Sequence, residues 1–599
     1  MAEEKEKDKG KKKGFKGLFK GEKDETRKSD FVKELKVAYR SIDDKGKYIK
    51  TILLPLVFLG VLVFLMPFIL EQFVPVPLNF NPATFIIGGV VPILLGVFYP
   101  YISWKNREND INSRMHFMIT HLRVLAISDL SLKDIINMLG GKKVYGSLGE
   151  ELKRASVLST QWKVPLARAF RFVSERTPSK MLRDFLDRFS QSLISGVGHR
   201  EFIEQEQGAV LEEYKTLYES SNENITILNE VYVSLLIAIT FIMSFGLVMP
   251  MIVGSADINT FVYLASFMMI VTEGLLLYLL RSMIPRDEVW PQTGERGELE
   301  KGLYNLFKVS LIACVALGVV FFVARYVLLL SFMQFLPFEI IVALALSPLL
   351  LPGFKAYTAE EEISRMERNF LGFLPALGSI AAMRGGKINE SVHYLSEKDY
   401  GVLTKHIKAL YRRLRTRIND DAAWEWFGVD TGSNYIQRAS EMFREATYAA
   451  ANPRDVAHMI TENIRKLRDL RVKKQAIVKT TASLFGGITF GVAFCIYVSL
   501  LIAKHLNDIW LETGDPFKDL QYIDIGSILT TIPPQVFANI FVVVFFVLII
   551  HSFMMAFTIR VLRGSHVLLT FLYFVPFVWI IAITAVGVNL GLGAYLGMS

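Results

Sequence analysis

Apolar runs of about twenty residues alternate along this chain with strongly charged stretches, and this alternation constrains the fold more than any other feature. A helix of that length crosses the ~30 Å hydrocarbon core of a bilayer. The runs fall at 51–71, 84–103, 230–253, 259–280, 306–330, 337–353, 480–503, 536–558 and 567–590, and only 337–353 is marginal in length. The chain of 599 residues is 52% hydrophobic, with 67 Lys+Arg and 58 Asp+Glu. A soluble protein bearing so many charges would not reach a mean hydropathy of +0.34. The sequence therefore predicts an all-α, polytopic membrane protein with about nine transmembrane helices.

Lysine and arginine set the expected orientation. Residues 1–50 hold 17 Lys+Arg, which places the N-terminus inside. The loops at 72–83 and 254–258 hold none, and 504–535 holds two lysines against five acids, so these are expected outside. Lys105, Arg107, Arg281, Arg286, Arg296, Arg560 and Arg563 fall on the inner side, and the C-terminus falls outside. Arg325 lies near an outer end, from which it can snorkel. The first fifty residues contain no apolar core of the kind a signal peptide needs.

Two long segments remain on the inner side, 104–229 and 354–479. SKMLRDFLDRFSQSLISG and NFLGFLPALGSIAAM space their apolar residues as helices do, and each segment is expected to form a small cytoplasmic helical bundle. The segments also align with each other. RMHFMITHL from Arg114 matches RNFLGFLPAL from Arg368, SLKDIINML matches KINESVHYL, and YGSL at Tyr145 matches YGVL at Tyr400. The nearly constant offset indicates duplication. The expected organisation is a basic N-terminal segment (1–50), a span pair (51–103), a first bundle (104–229), four spans (230–353), a second bundle (354–479) and three spans (480–599).

The chain contains no P-loop, HExxH, CxxC or GxSxG motif, and its two cysteines, Cys314 and Cys495, both lie in apolar runs. No catalytic constellation, cofactor or metal site is expected. The glycine pairs Gly140-Gly141 and Gly385-Gly386, each followed by lysine, read as helix-ending turns with surface lysines rather than phosphate cradles. Glu273 and His551 are ionisable residues inside apolar runs, as a proton or ion site or as interhelical anchors. Gly487/Gly491, Gly587/Gly591 and Gly593/Gly597 have the spacing that lets helices approach closely in lipid, either in a homodimer seam or within the chain. KKKGFKGLFKG near the N-terminus mixes lysines with Phe15, Leu18 and Phe19, as a lipid-surface segment or a disordered tail would.

Charge separates the two bundles. Segment 354–479 is about +6, whereas 104–229 is near neutral. Arg412, Arg413, Arg415 and Arg417 crowd into seven residues, YRRLRTR, as a docking face for an acidic partner or as solvated helix surface. The cluster in RKLRDLRVKK abuts a span and is explained by the positive-inside bias. Interleaved acids argue against nucleic acid as a partner.

Tandem helical bundles, each followed by membrane spans, resemble the platform-protein family of type II secretion systems and type IV pili. The resemblance is carried by FMITHLRVLAIS…SLKDIINML and FLPALGSIAAMRGGKINESVHYL, and by FLDRFSQSLISGVGHREFI and ASEMFREATYAAANPRDVAHMI before the spans. In length and span count the chain is similar to the archaeal members, above all the archaellum platform. The resemblance implies a non-enzymatic role. Such a protein anchors a hexameric secretion or motor ATPase at the cell membrane and couples it to assembly of pilin-like subunits into an archaellum or adhesive pilus. The duplication and Glu273 motivate a different reading, a secondary transporter or channel.

Overall fold

The computed structural model describes residues 45–61 apart from 59, 82–253, 258–291 apart from 286, 297–329, 331–416, 419–513 and 533–595, together with Leu35 and Tyr39. Two compact units divide the chain at Glu108/Asn109. In the first, the Tyr48 hydroxyl donates to the Gly96 carbonyl at 2.6 Å, and the Tyr48 and Tyr99 rings stack.

The main helices are α1 (Pro82–Ala126), α2 (Leu132–Gly141), α3 (Gly146–Thr160), α4 (Leu166–Ser174), α5 (Lys180–Ile194) and α6 (His199–Val253). They continue as α7 (Ile258–Met283), α8 (Glu298–Phe322), α9 (Phe338–Leu346), α10 (Leu350–Met383), α11 (Ile388–Ser396) and α12 (Thr404–Arg415). The last five are α13 (Asp420–Thr431), α14 (Asn434–Tyr448), α15 (Pro453–Thr513), α16 (Pro534–Arg563) and α17 (Thr570–Tyr595). No strand occurs among the described residues.

Seven described helices are long and apolar enough to cross a membrane: 199–249, 261–283, 298–327, 338–383, 453–509, 536–563 and 567–592. They overlap the last seven expected spans. About half of the expected span 51–71 lies outside the described residues, the rest being helical, and 84–103 is helical within α1. The marginal run 337–353 breaks at Pro348, passes through one 3-10 turn and continues into α10.

The duplication is visible helix by helix. Residues 132, 146, 166, 180 and 199 begin α2–α6, and 388, 404, 420, 434 and 453 begin α11–α15, in the same order. Local signals repeat too. Ser179 caps α5 by accepting from Leu182 N, and Ser433 caps α14 by accepting from Ile436 N. Each satisfies a backbone N–H that a helix start leaves unpaired. Gly146 and Gly401 both sit at positive φ, +48° and +58°. A Cβ there would meet Asp110 Oδ2 at 2.8 Å or Asn369 Nδ2 at 2.7 Å. Side chains of the long leading helices latch both turns: Asp110 accepts from Ser147 N at 2.9 Å, and Asn369 donates to Tyr400 O at 2.7 Å.

One continuous hydrophobic core joins Ile111, Met118, Leu122, Phe185 and Tyr218 of the first copy to Phe370, Leu377, Phe427, Phe443 and Ile460 of the second. A second core holds the membrane helices together. Helices α6 and α15, of 55 and 61 residues, run unbroken from one core into the other. Where they face each other, Asn229 donates to Thr481 at 2.9 Å and Lys473 pairs with Glu219 at 3.1 Å.

A candidate coupling site between the soluble core and the spans

Asp287 lies in the short connection between α7 and α8 and is buried, 9% exposed. A buried carboxylate needs compensation. Arg471 of α15 supplies it through two hydrogen bonds, Nη2 to Oδ1 at 2.5 Å and Nε to Oδ2 at 3.0 Å. The Tyr435 and Tyr218 hydroxyls donate to the same carboxylate at 3.0 and 3.2 Å. Burial alone would raise the Asp287 pKa; the Arg471 charge and hydrogen bonds outweigh it and hold the carboxyl well below the usual range. Arg471 also bonds Glu367 of α10 at 3.2 and 3.3 Å, and Glu367 accepts from Ser433 Oγ at 2.7 Å.

The connection is fixed at its neighbouring residues as well. Asn434 N donates to Val289 O at 2.9 Å, and Asn434 Nδ2 donates to Glu288 O at 3.1 Å. Val289 N donates to Gly564 O at 3.3 Å, in the turn between α16 and α17. Trp290 Nε1 donates to Glu360 at 3.2 Å, and the same carboxylate accepts from Ser565 Oγ at 2.8 Å and His566 N at 2.9 Å. A few residues thus tie the second copy to the ends of three membrane helices. Close by, His116 is buried between the rings of Phe117 and Tyr214, and neither ring nitrogen has a partner. Burial, reinforced by Arg438, lowers its pKa to about 3, so it stays neutral.

A second cluster joins the copies. Lys142 pairs with Glu441 and with Glu445 of α14, the latter at 2.5 Å. His121 sits between the Tyr145 hydroxyl at 2.8 Å and Glu445 at 3.2 Å. Burial opposes charge on Glu445, but His121 and Lys142 lower its pKa to about 2. Lys142 is only 14% exposed, so the expectation of a surface lysine fails: its ammonium bridges the two copies. The lysine after the other glycine pair, Lys387, is exposed.

Inside the membrane helices, Glu273 of α7 and His551 of α16, picked out separately in the sequence, contact each other through Oε1 and Nδ1. Both are fully buried, His551 Nε2 lies 3.4 Å from Thr489 Oγ1 of α15, and Glu273 Oε2 has no partner. Of the α12 arginines, Arg412 and Arg415 are exposed, whereas Arg413 pairs with Asp430 at 2.6 Å. Arg417 lies outside the described residues. Gly487, Gly491, Gly587 and Gly591 have nothing within 4 Å of where a Cβ would stand, so they are not used for close packing within the chain. Gly593 falls in α17, and Gly597 lies outside the described residues.

The described residues contain no His/Cys/Asp/Glu group able to hold a metal ion. No solved structure matches the chain. Residues 118–247 match the family described as type II secretion system (T2SS), protein F. Flagella accessory protein J of Methanococcus voltae is 33% identical over 531 residues, which is 87% of this chain and 94% of that protein. Flagella accessory protein J of Methanocaldococcus jannaschii is 32% identical over 563 residues, 92% of this chain and 96% of that protein. This chain therefore belongs to the flagella accessory protein J family.

Proposed function

We propose that the protein is the cell-membrane platform of an archaellum, anchoring a filament-assembly ATPase on its cytoplasmic side and passing ATPase movement to pilin-like subunits in the bilayer. Family membership supports the platform role. The observation that carries the coupling is the continuity of α6 and α15 from the shared soluble core into the membrane core. A long packed helix transmits displacement as a rigid element, and cores rearrange between discrete packings rather than yielding smoothly. The buried Asp287–Arg471–Glu367 node pins that lever to the membrane helix ends. In this reading the N-terminus and both soluble segments face the cytoplasm and the C-terminus faces out. Arg412 and Arg415 form the exposed part of the ATPase-facing surface, and the open glycine faces serve a homodimer or a subunit helix.

The Glu273–His551 contact favours a second reading, an ion-coupled transporter, because a buried acid–histidine pair can carry a proton. Purification from native membranes separates the two. Recovery of an assembly ATPase with pilin-like proteins supports the platform. Solute uptake by the purified protein alone in liposomes would overturn it.

A further inference from the structure

Membrane helix ends beside the coupling site frame a cavity of about 300 Å³, and Arg281 of α7, Tyr304 of α8, Lys474 of α15 and Arg560 of α16 all stand in its wall. Each lies within a few residues of the end of an expected span, so the cavity sits at the level where lipid headgroups meet protein. Lys474 is 3% exposed, and its ammonium makes no hydrogen bond or ion pair among the described residues. It stands 5.7 Å from the centre of the Tyr218 ring. Asp287 is near, but its oxygens already accept from Arg471, Tyr435 and Tyr218. A buried cation with no anion of its own is costly, so its pairing is left to something that enters the cavity.

The rest of the wall has the same imbalance. Arg560 is half-buried, its Nε has no partner, and Glu288 lies near it without forming an ion pair. Arg281 is exposed and makes no ion pair among the described residues. The acids of the wall are already engaged: Asp287 holds Arg471, and neither Glu288 nor Glu300 is without a partner. Lysine and arginine collect at inner span ends in membrane proteins generally, which accounts for Arg281 and Arg560 but not for the enclosed ammonium of Lys474. One flank of the cavity is apolar, through Val561 and the exposed Val567.

We infer that this cavity binds the phosphate of an anionic lipid from the cytoplasmic leaflet, with Lys474, Arg281 and Arg560 donating to it and the lipid's glycerol against Val561 and Val567. Phosphate oxygens accept from several donors at once and suit both the guanidinium fork and the compact ammonium. Basic pockets between membrane helices on the cytoplasmic side lodge such headgroups. A free phosphate would use the cations but not the apolar flank. The lipid supplies the anion that Lys474 lacks, beside the node that ties the soluble core to the membrane helix ends. Such a site needs the soluble core on the cytoplasmic side, as proposed above, and does not need the ATPase.

The test uses the full-length chain in a neutral detergent, titrated with phosphatidylglycerol or phosphatidylcholine and read by native mass spectrometry and thermal unfolding. One phosphatidylglycerol per chain should be retained about tenfold more tightly than phosphatidylcholine and should raise the melting temperature. Arg560→Gln and Lys474→Met should each weaken that site about tenfold, as loss of one charge-assisted contact does. Arg560→Lys, which keeps the charge, should restore most of the binding and so shows that the Arg560→Gln loss is not misfolding. Lys387→Gln, which removes an exposed cation of the soluble core, should leave the site unchanged. No preference for phosphatidylglycerol, undiminished retention in either Arg560→Gln or Lys474→Met, or an equal loss in Lys387→Gln would overturn the proposal. Equal stabilisation by inorganic phosphate would overturn it too, by marking a site for free anions. With no ATPase in the assay, a negative result leaves the platform reading standing.

Discussion

The two soluble copies use one latch in different ways. In the first, Ser179 caps α5 and its hydroxyl donates to Asn112 Oδ1 at 2.5 Å. In the second, Ser433 caps α14 and donates to Glu367 at 2.7 Å. The position matching Arg471 in the first copy, 254 residues earlier as for the two serines, is Leu217, half-buried against the core. Duplication gave both copies a capping serine and a partner on the long leading helix. Only the second copy has an acid there, and only it has the arginine that then captures Asp287. The fold needs just the neutral latch; the charged version ties in the connection between membrane helices. Both copies thus touch the connection, the first through the neutral groups of Tyr218 and Asn109, but only the second holds it with charge.

The strongest way to break this comparison is to disable the charged node and the neutral latch in turn. Asp287→Asn or Arg471→Gln leaves a buried charge short of its partner and should cost about 3 kcal/mol. Asn112→Ala loses a single hydrogen bond and should cost about 1 kcal/mol. Thermal unfolding in nanodiscs should rank them in that order, and equal losses would refute the division of labour. Acid sharpens the same point. The folded pKa of Asp287 is depressed, so its stabilisation is complete above the ordinary carboxylate range near 4 and is lost as pH falls through the lower folded value. Glu445, lowered to about 2, acts in the same direction. Melting temperature should fall steeply below about pH 4, and less so in Asp287→Asn, which has no carboxylate to protonate.

Lys142→Ala should cost less, about 1–2 kcal/mol, because, of the two carboxylates it leaves, Glu445 retains His121 and Arg444 and Glu441 is part-exposed to water. A cysteine pair placed across α2 and α14 should then cross-link less efficiently. The smallest effect belongs to α12. Arg412→Gln with Arg415→Gln should change stability by no more than about 0.5 kcal/mol, as expected for exposed positions, whereas Arg413→Gln should cost more through Asp430.

The parts that were legible in the sequence are those set by neighbours along the chain. Spans follow from local hydropathy, bundle helices from apolar spacing, and the duplication from its offset. A charged residue inside an apolar run stands out by itself, so Glu273 and His551 could each be singled out. Their contact could not, because it joins positions 278 residues apart. The Asp287 node was invisible for the same reason: Arg471 is 184 residues from Asp287 and 104 from Glu367. In the sequence its arginine was just one of many beside a span. Lys142 looked like a surface lysine because nothing local reveals the opposing copy. That the two segments share one core is likewise a fact of packing that periodicity within one segment does not contain.

The most direct test of the platform account is binding of the organism's own filament-assembly ATPase to the full chain in nanodiscs, measured across a salt series. The account predicts binding at low salt that weakens as salt rises, because the contact is electrostatic and screening acts within about 8 Å at 0.15 M. It also predicts about fivefold weaker binding by the Arg412→Gln/Arg415→Gln variant, as two surface pairs together contribute about 1 kcal/mol. Absence of binding at any salt concentration, or equal salt-independent binding by wild type and variant, would contradict it.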